Sequence, residues 1–99
     1  MSQESQGDLE VLQKTAKPLR FKVILLNDDF TPMNFVTFVL QRFFSKTSEE
    51  ADKIMLEVHQ KGAGLAGVYS KEIAEMKVHQ VNTFAKENEY PLKTIMEAE

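Results

Sequence analysis

The run Phe21-Lys-Val-Ile-Leu-Leu26 stops abruptly at Asn27-Asp28-Asp29, and after Phe30 a Thr31-Pro32 pair follows. This junction constrains the chain more than any other stretch. A short β-branched and aliphatic run bounded by turn-forming residues has the pattern of a well-buried strand. Thr31 followed by Pro32 predicts a helix start, with threonine as N-cap and proline at the first helical position, where its missing N–H is no loss. A strand that feeds directly into a helix leaves a polar seam between them, with two carboxylates side by side.

Downstream signals complete the order. The first helix is expected to run to about Phe44. Thr47-Ser-Glu-Glu50 fits the capping box, and Gly62 is a natural C-terminal stop, so a second helix is expected over Ser48 to Lys61. Gly64-Leu-Ala-Gly-Val-Tyr69 suits a short strand, its two glycines marking a bulge or a close backbone approach. Ser70 caps a third helix in which Ile73, Ala74, Val78, Val81, Phe84 and Ala85 recur at helical spacing to about Asn88, and Pro91 ends its continuation. Leu92-Lys-Thr-Ile-Met96 then reads as a last strand. The order β-α-α-β-α-β, without internal repeats, predicts an α+β domain with its helices packed on one face of a short antiparallel sheet.

Two segments are expected. Residues 1–18, rich in Gln, Ser, Glu, Lys and Thr with only scattered apolar groups, read as a flexible tail that cannot offset its ordering entropy. Residues 19–99 read as the folded core. At 99 residues the chain buries only about 60% of its unfolded surface, which allows one modest core. A net charge of −3 with interspersed signs provides no basic stripe for nucleic acid or an anionic membrane. The absence of cysteine excludes disulfides, thiolate metal sites and thiol nucleophiles. No apolar run approaches the length of a membrane span, and the amino terminus lacks a secretory pattern, so a cytoplasmic location is expected.

The first helix carries more apolar surface than a core contact needs. Met33, Phe35, Val36, Val39, Leu40, Phe43 and Phe44 cover an arc of roughly 180°, whereas a core-facing stripe needs about 100°. The second helix has a tidier stripe of Ala51, Ile54, Met55 and Val58, with His59 one turn beyond Met55 at its edge. Each signal has an ordinary explanation: apolar helix faces form cores, and paired aspartates after a strand form turns by accepting backbone N–H groups. Taken together they suggest an apolar concavity with acceptors at its rim. Such a site suits a ligand that pairs a hydrophobic group with an ammonium.

The motifs "KVILLNDDFTPMNFV" (22–36), "IMLEVHQKG" (54–62), "GVYSKEIAEMKV" (67–78) and "NEYPL" (88–92) occur in an order that closely resembles the ClpS family, over about residues 20 to 97. ClpS proteins are adaptors that bring N-degron proteins to a Clp ATP-dependent protease. The resemblance implies a non-enzymatic module that binds a chain whose first residue is Phe, Leu, Trp or Tyr, without cofactor or metal. Matched position by position, Asn27, Asp28 and His59 would hydrogen-bond the substrate's α-amino group and first peptide unit. Asp29 and Thr31 would orient the loop or reach the substrate backbone. Met33 would gate the pocket against branched side chains, and Val36, Met55, Val58 and Leu92 would line it. Glu72 and Lys77 match positions that contact the N-terminal domain of the AAA+ unfoldase, of ClpA or ClpC type, and the tail would engage the unfoldase during handover. A monomer is expected. Asn34 and Met76 depart from the commoner family pattern.

Three other readings fit the residue types alone. A hydrolase could use Asp28, Asp29 and His59 as acid, base and orienter, although no nucleophile motif accompanies them. A cation could take Asp28, Asp29, His59 and His79, which lack dense local spacing. A module for internal peptide motifs would differ only in not requiring a free amino terminus.

Overall fold

The structure, a computed structural model, describes residues 19–99. Three strands and three helices follow the expected order: β1 (Arg20–Leu26), α1 (Met33–Phe44), α2 (Ser48–Lys61), β2 (Ala63–Ser70), α3 (Lys71–Glu87) and β3 (Lys93–Ala98). The sheet is antiparallel throughout, in the order β2-β1-β3. The expected flexible tail at 1–18 lies outside the described residues.

β1 occupies the centre because it is the strand with the most apolar surface to bury. Alternation sends Val23 and Leu25, both fully buried, toward the helices. Lys22 and Ile24 face the opposite side, where they are only partly covered. The strand begins one residue before the apolar run, at Arg20. Its guanidinium binds the Glu99 carboxylate through Nε at 2.8 Å and Nη2 at 3.0 Å, and its carbonyl accepts the Glu99 N–H at 2.9 Å. A bulge interrupts β2: Val23 pairs with Gly67 and Ile24 with Leu65, which leaves Ala66 as the extra residue. Both glycines of β2 mark close approaches. A Cβ at Gly64 would lie 2.6 Å from Val58 Cγ2 and 3.2 Å from the Ile54 carbonyl oxygen, while one at Gly67 would overlap the Tyr69 ring.

The helix signals are mostly realised as read. Thr47 Oγ1 accepts the Glu50 N–H at 3.1 Å and Glu50 Oε1 accepts the Thr47 N–H at 2.9 Å, completing the capping box of α2. Gly62 closes α2 with φ 87°, a conformation that only glycine adopts cheaply. Ser70 Oγ accepts the Ile73 N–H at the start of α3. The start of α1 differs from expectation. Pro32, not Thr31, holds the N-cap position, with φ −65° and ψ 147°, and no side chain caps the helix. The Pro32 carbonyl accepts the Phe35 and Val36 N–H groups, while the Thr31 hydroxyl is directed elsewhere.

The surplus apolar arc of α1 is divided between two neighbours. Val36, Val39, Leu40 and Phe44 are buried in the core with Val23, Leu25, Ala51, Val58, Ala66, Ala74, Val81, Ala85 and Leu92. Phe35 and Phe43 turn toward α3, where Phe84 stacks on Phe35 at 5.4 Å and meets Phe43 at 5.2 Å. Met33 faces neither: it is 45% exposed at the first turn. The apolar excess therefore ends at an opening rather than in the core.

Candidate functional site

The seam between β1 and α1 and the C-terminal half of α2 enclose a cavity of about 370 Å³. Its apolar side comes from Met33 and Val36 on α1 and from Met55 and Val58 on α2. Its polar side comes from Asn27, Asp28, Asp29 and Thr31 on the connecting loop and from His59 at the end of α2. One backbone hydrogen bond brings the two polar groups together. The Asn27 N–H donates to the Gly62 carbonyl at 2.9 Å, tying the first loop residue to the last turn of the helix that carries His59.

Asp28 shapes this loop. Its Oδ1 accepts the Phe30 N–H at 2.8 Å and the Thr31 N–H at 2.7 Å, and its Oδ2 accepts the Thr31 hydroxyl at 2.7 Å. Partial burial by itself would raise the carboxyl's pKa. The hydrogen bonds from Thr31 and Phe30 outweigh that effect and hold it below the usual carboxylate value. The side chain is therefore a loop organiser whose Oδ2 keeps room for one further donor. This explains the misread helix start: a threonine hydroxyl donating backward to Asp28 is turned away from the helix N–H groups. Asp29 and Asn27, by contrast, are exposed, and among the described residues neither side chain makes a hydrogen bond within the chain.

Nine of the ten binding residues expected from the sequence line one cavity. The tenth, Leu92, does not: it is 4% exposed and belongs to the hydrophobic core before β3. Two lining residues escaped the sequence reading, Phe30 and Pro32. Phe30 had a readable signal, since a lone aromatic in a polar turn has no core stripe to join. His79 is exposed on α3 and does not line the cavity, so it does not join Asp28, Asp29 and His59. Among the described residues, no three His, Cys, Asp or Glu side chains are grouped to hold a metal ion. No described helix is long and apolar enough to cross a membrane.

Glu72 and Lys77 lie on α3, away from this cavity. Glu72 is exposed in the first turn. Lys77 is tied down: its Nζ donates to the Phe43 carbonyl at 2.6 Å and lies 5.9 Å from the ring centroids of both Phe44 and Tyr69. The lysine thus satisfies a carbonyl in the last turn of α1 as well as presenting charge.

The family model for the ATP-dependent Clp protease adaptor protein ClpS matches residues 16–95. This chain belongs to the ClpS family. The ClpS adapter protein of Bdellovibrio bacteriovorus is 59% identical over 98 residues, spanning 99% of this chain and 86% of that protein. That of Hydrogenovibrio crunogenus is 53% identical over 100 residues, spanning 97% and 96%. Among solved structures, Agrobacterium tumefaciens ClpS2 bound to L-phenylalaninamide matches with a TM-score of 0.80 and 36% identity, covering 83% of this chain and 99% of that one. Members of the ClpS family are adaptors of the Clp protease and not the protease itself.

Proposed function

We propose that this chain captures proteins through a large hydrophobic first residue, Phe, Leu, Trp or Tyr, and delivers them to an AAA+ Clp unfoldase for degradation. The observation that carries the reading is the composition of one cavity, with Met33, Val36, Met55 and Val58 on one side and Asn27, Asp28, Asp29 and His59 on the other. Phenylalaninamide, the molecule bound to the Agrobacterium ClpS2, combines those two chemistries, a benzyl side chain and a free α-amine.

An α-amino group has a pKa of about 7.7–8.0, so near neutral pH it is mostly a cation with several donors around one nitrogen. The Asn27 side-chain oxygen, the free capacity of Asp28 Oδ2, an imidazole nitrogen of His59 and the Asp29 carboxylate are the acceptors available to it. Thr31, its hydroxyl committed to Asp28, holds the loop in shape. An internal or acetylated nitrogen offers one donor and no charge. It would leave acceptors that the bound chain covers unpaired, at a cost of about 1–3 kcal/mol. The apolar side reads the first side chain, because burying Leu or Phe contributes roughly 1.5–3 kcal/mol. Met33 narrows the mouth against β-branched residues.

Delivery requires a second surface. Glu72, exposed on α3, and the charge of Lys77 form the docking face for the N-terminal domain of a ClpA- or ClpC-type unfoldase on this reading. The chain acts as a monomer in the cytoplasm, with residues 19–99 as the adaptor core and 1–18 as the handover segment.

Fluorescence anisotropy with peptides beginning in Phe or Leu tests the reading. Tight binding that is lost on N-acetylation, and lost when Lys replaces the first residue, supports it. Binding indifferent to acetylation refutes it.

A further inference from the structure

Phe30 is the most exposed large hydrophobic side chain among the described residues, at 79%, yet it lines the cavity. Its backbone is fixed: the Phe30 N–H donates to Asp28 Oδ1 at 2.8 Å, and the next N–H donates to the same atom at 2.7 Å. Among the described residues its ring pairs with no other aromatic ring and carries no cation. The loop therefore fixes the backbone from which an aromatic side chain extends into water at the edge of the cavity. Such a ring contributes nothing to the core, and a ligand side chain that covered it would gain the burial of its apolar surface.

We infer that Phe30 is a specificity-determining residue that packs against the second side chain of the bound chain and favours a large apolar residue there. The inference rests on the proposed capture of a chain by its first residue. Successive Cα atoms are about 3.8 Å apart, and adjacent side chains of an extended chain point to opposite sides. With the first side chain in the cavity, the second is held at its rim and directed away from its floor. Of the lining side chains, only Phe30 and Met33 present large exposed apolar surface at that level. Met33 belongs to α1 and faces the first side chain. Phe30 sits on the loop, over which the departing chain must pass. Because Asp28 has already fixed the backbone that carries the ring, only the ring's own rotamer remains to be ordered when the contact forms.

The test is a set of fluorescent peptides that share a first Phe and differ at the second position, Gly, Ala, Leu or Phe, titrated into the wild-type chain and into Phe30→Ala and Phe30→Leu. The readout is the ratio of affinities for second-position Leu or Phe over Gly within each protein. An aromatic contact of this kind corresponds to roughly a three- to tenfold ratio in the wild type. The ratio should fall close to one in Phe30→Ala and lie between the two in Phe30→Leu. A wild-type ratio near one, or a ratio that survives Phe30→Ala, overturns the inference while leaving capture by the first residue standing. If the wild-type chain binds none of these peptides, the reading of the cavity itself fails. Circular dichroism of the variants accompanies the titrations, and the exposure of the ring predicts native spectra.

Discussion

Both oxygens of the Asp28 carboxylate accept hydrogen bonds from Thr31, Oδ1 from its N–H and Oδ2 from its hydroxyl, each at 2.7 Å. This pairing sets the shape of the rim before any ligand arrives, and it makes the two residues one unit. Thr31→Val, which removes only the hydroxyl, is expected to cost about 0.5–1.5 kcal/mol in urea unfolding and to weaken binding of Phe-initiated peptides. Asp28→Ala removes all three loop hydrogen bonds and should abolish that binding. In a double-mutant cycle the two losses should be strongly non-additive; additive losses would show that the pair does not act together.

The same contact makes an acid-side prediction. Because the folded-state pKa of Asp28 is lowered, its ionised form contributes stability above the unfolded value of about 3.9, and that contribution fades as pH falls through the folded value. The stability difference between the wild type and Asp28→Asn should therefore be constant near neutrality and shrink below about pH 4. Urea midpoints measured from pH 7 to pH 2.5 check this.

Met33 stands at the cavity mouth with 45% of its surface exposed, which separates its effect on selection from its effect on folding. Met33→Ala should leave the melting temperature within a few degrees. It should raise the affinity of Ile- and Val-initiated peptides relative to Leu-initiated ones by roughly tenfold, the scale of a lost steric exclusion. Unchanged discrimination would show that the methionine does not gate the entrance.

Gly64 lies behind the apolar wall. An alanine there meets Val58 Cγ2 and the Ile54 carbonyl, neither of which yields easily, since one belongs to a β-branched side chain in a helix and the other to backbone. Gly64→Ala is expected to lose about 1–3 kcal/mol. Val58 is pushed toward the cavity it lines, so affinity for Trp-initiated peptides should fall more than that for Leu-initiated ones. Thermal melts and anisotropy give the two readouts.

Asn82 protects an edge of the sheet. Its Oδ1 accepts the Thr94 N–H at 2.8 Å and its Nδ2 donates to the Thr94 carbonyl at 3.1 Å, so one amide occupies the place that another strand would take. Asn82→Ala should cost about 1–3 kcal/mol and promote concentration-dependent association through the bared edge of β3. Peptide affinity should persist, since Asn82 lies on α3 outside the cavity lining. Sedimentation at increasing concentration reads the association directly.

The proposed docking face gives a paired prediction. Lys77→Ala breaks the hydrogen bond to Phe43 and should cost about 1–2 kcal/mol of stability, whereas Glu72→Ala, at an exposed position, should cost nothing measurable. Both should weaken binding to the isolated N-terminal domain of the unfoldase, read by calorimetry. If only Lys77→Ala weakens it, docking depends on the positioning of α1 rather than on the charges of α3.

What could be read from the chain follows from the range of the forces involved. Thr47 and Glu50, Ser70 and Gly62 were legible because a cap is satisfied within three or four residues, and no distant contact competes for it. The strand at Phe21–Leu26 was legible because two-residue alternation and a polar stop are properties of consecutive residues. Thr31 was misread for the opposite reason: two local partners competed for one hydroxyl, and the carboxylate of Asp28 prevailed over the helix N–H groups.

Sequence by itself determined the element order, the excess of apolar surface on α1, and the gathering of Asn27, Asp28, Asp29 and Thr31 at one seam, because all of these are encoded in neighbouring residues. Only the tertiary structure decided where that excess goes: Phe35 and Phe43 onto Phe84, Leu92 into the core, and Met33 to an opening shared with Met55 and Val58. It also joined His59 to the seam through the hydrogen bond from Asn27 to Gly62, and it left the Phe30 ring bare. These outcomes depend on how α2 packs against the end of β1, between residues some thirty positions apart, and periodicity within one element carries no information about that distance.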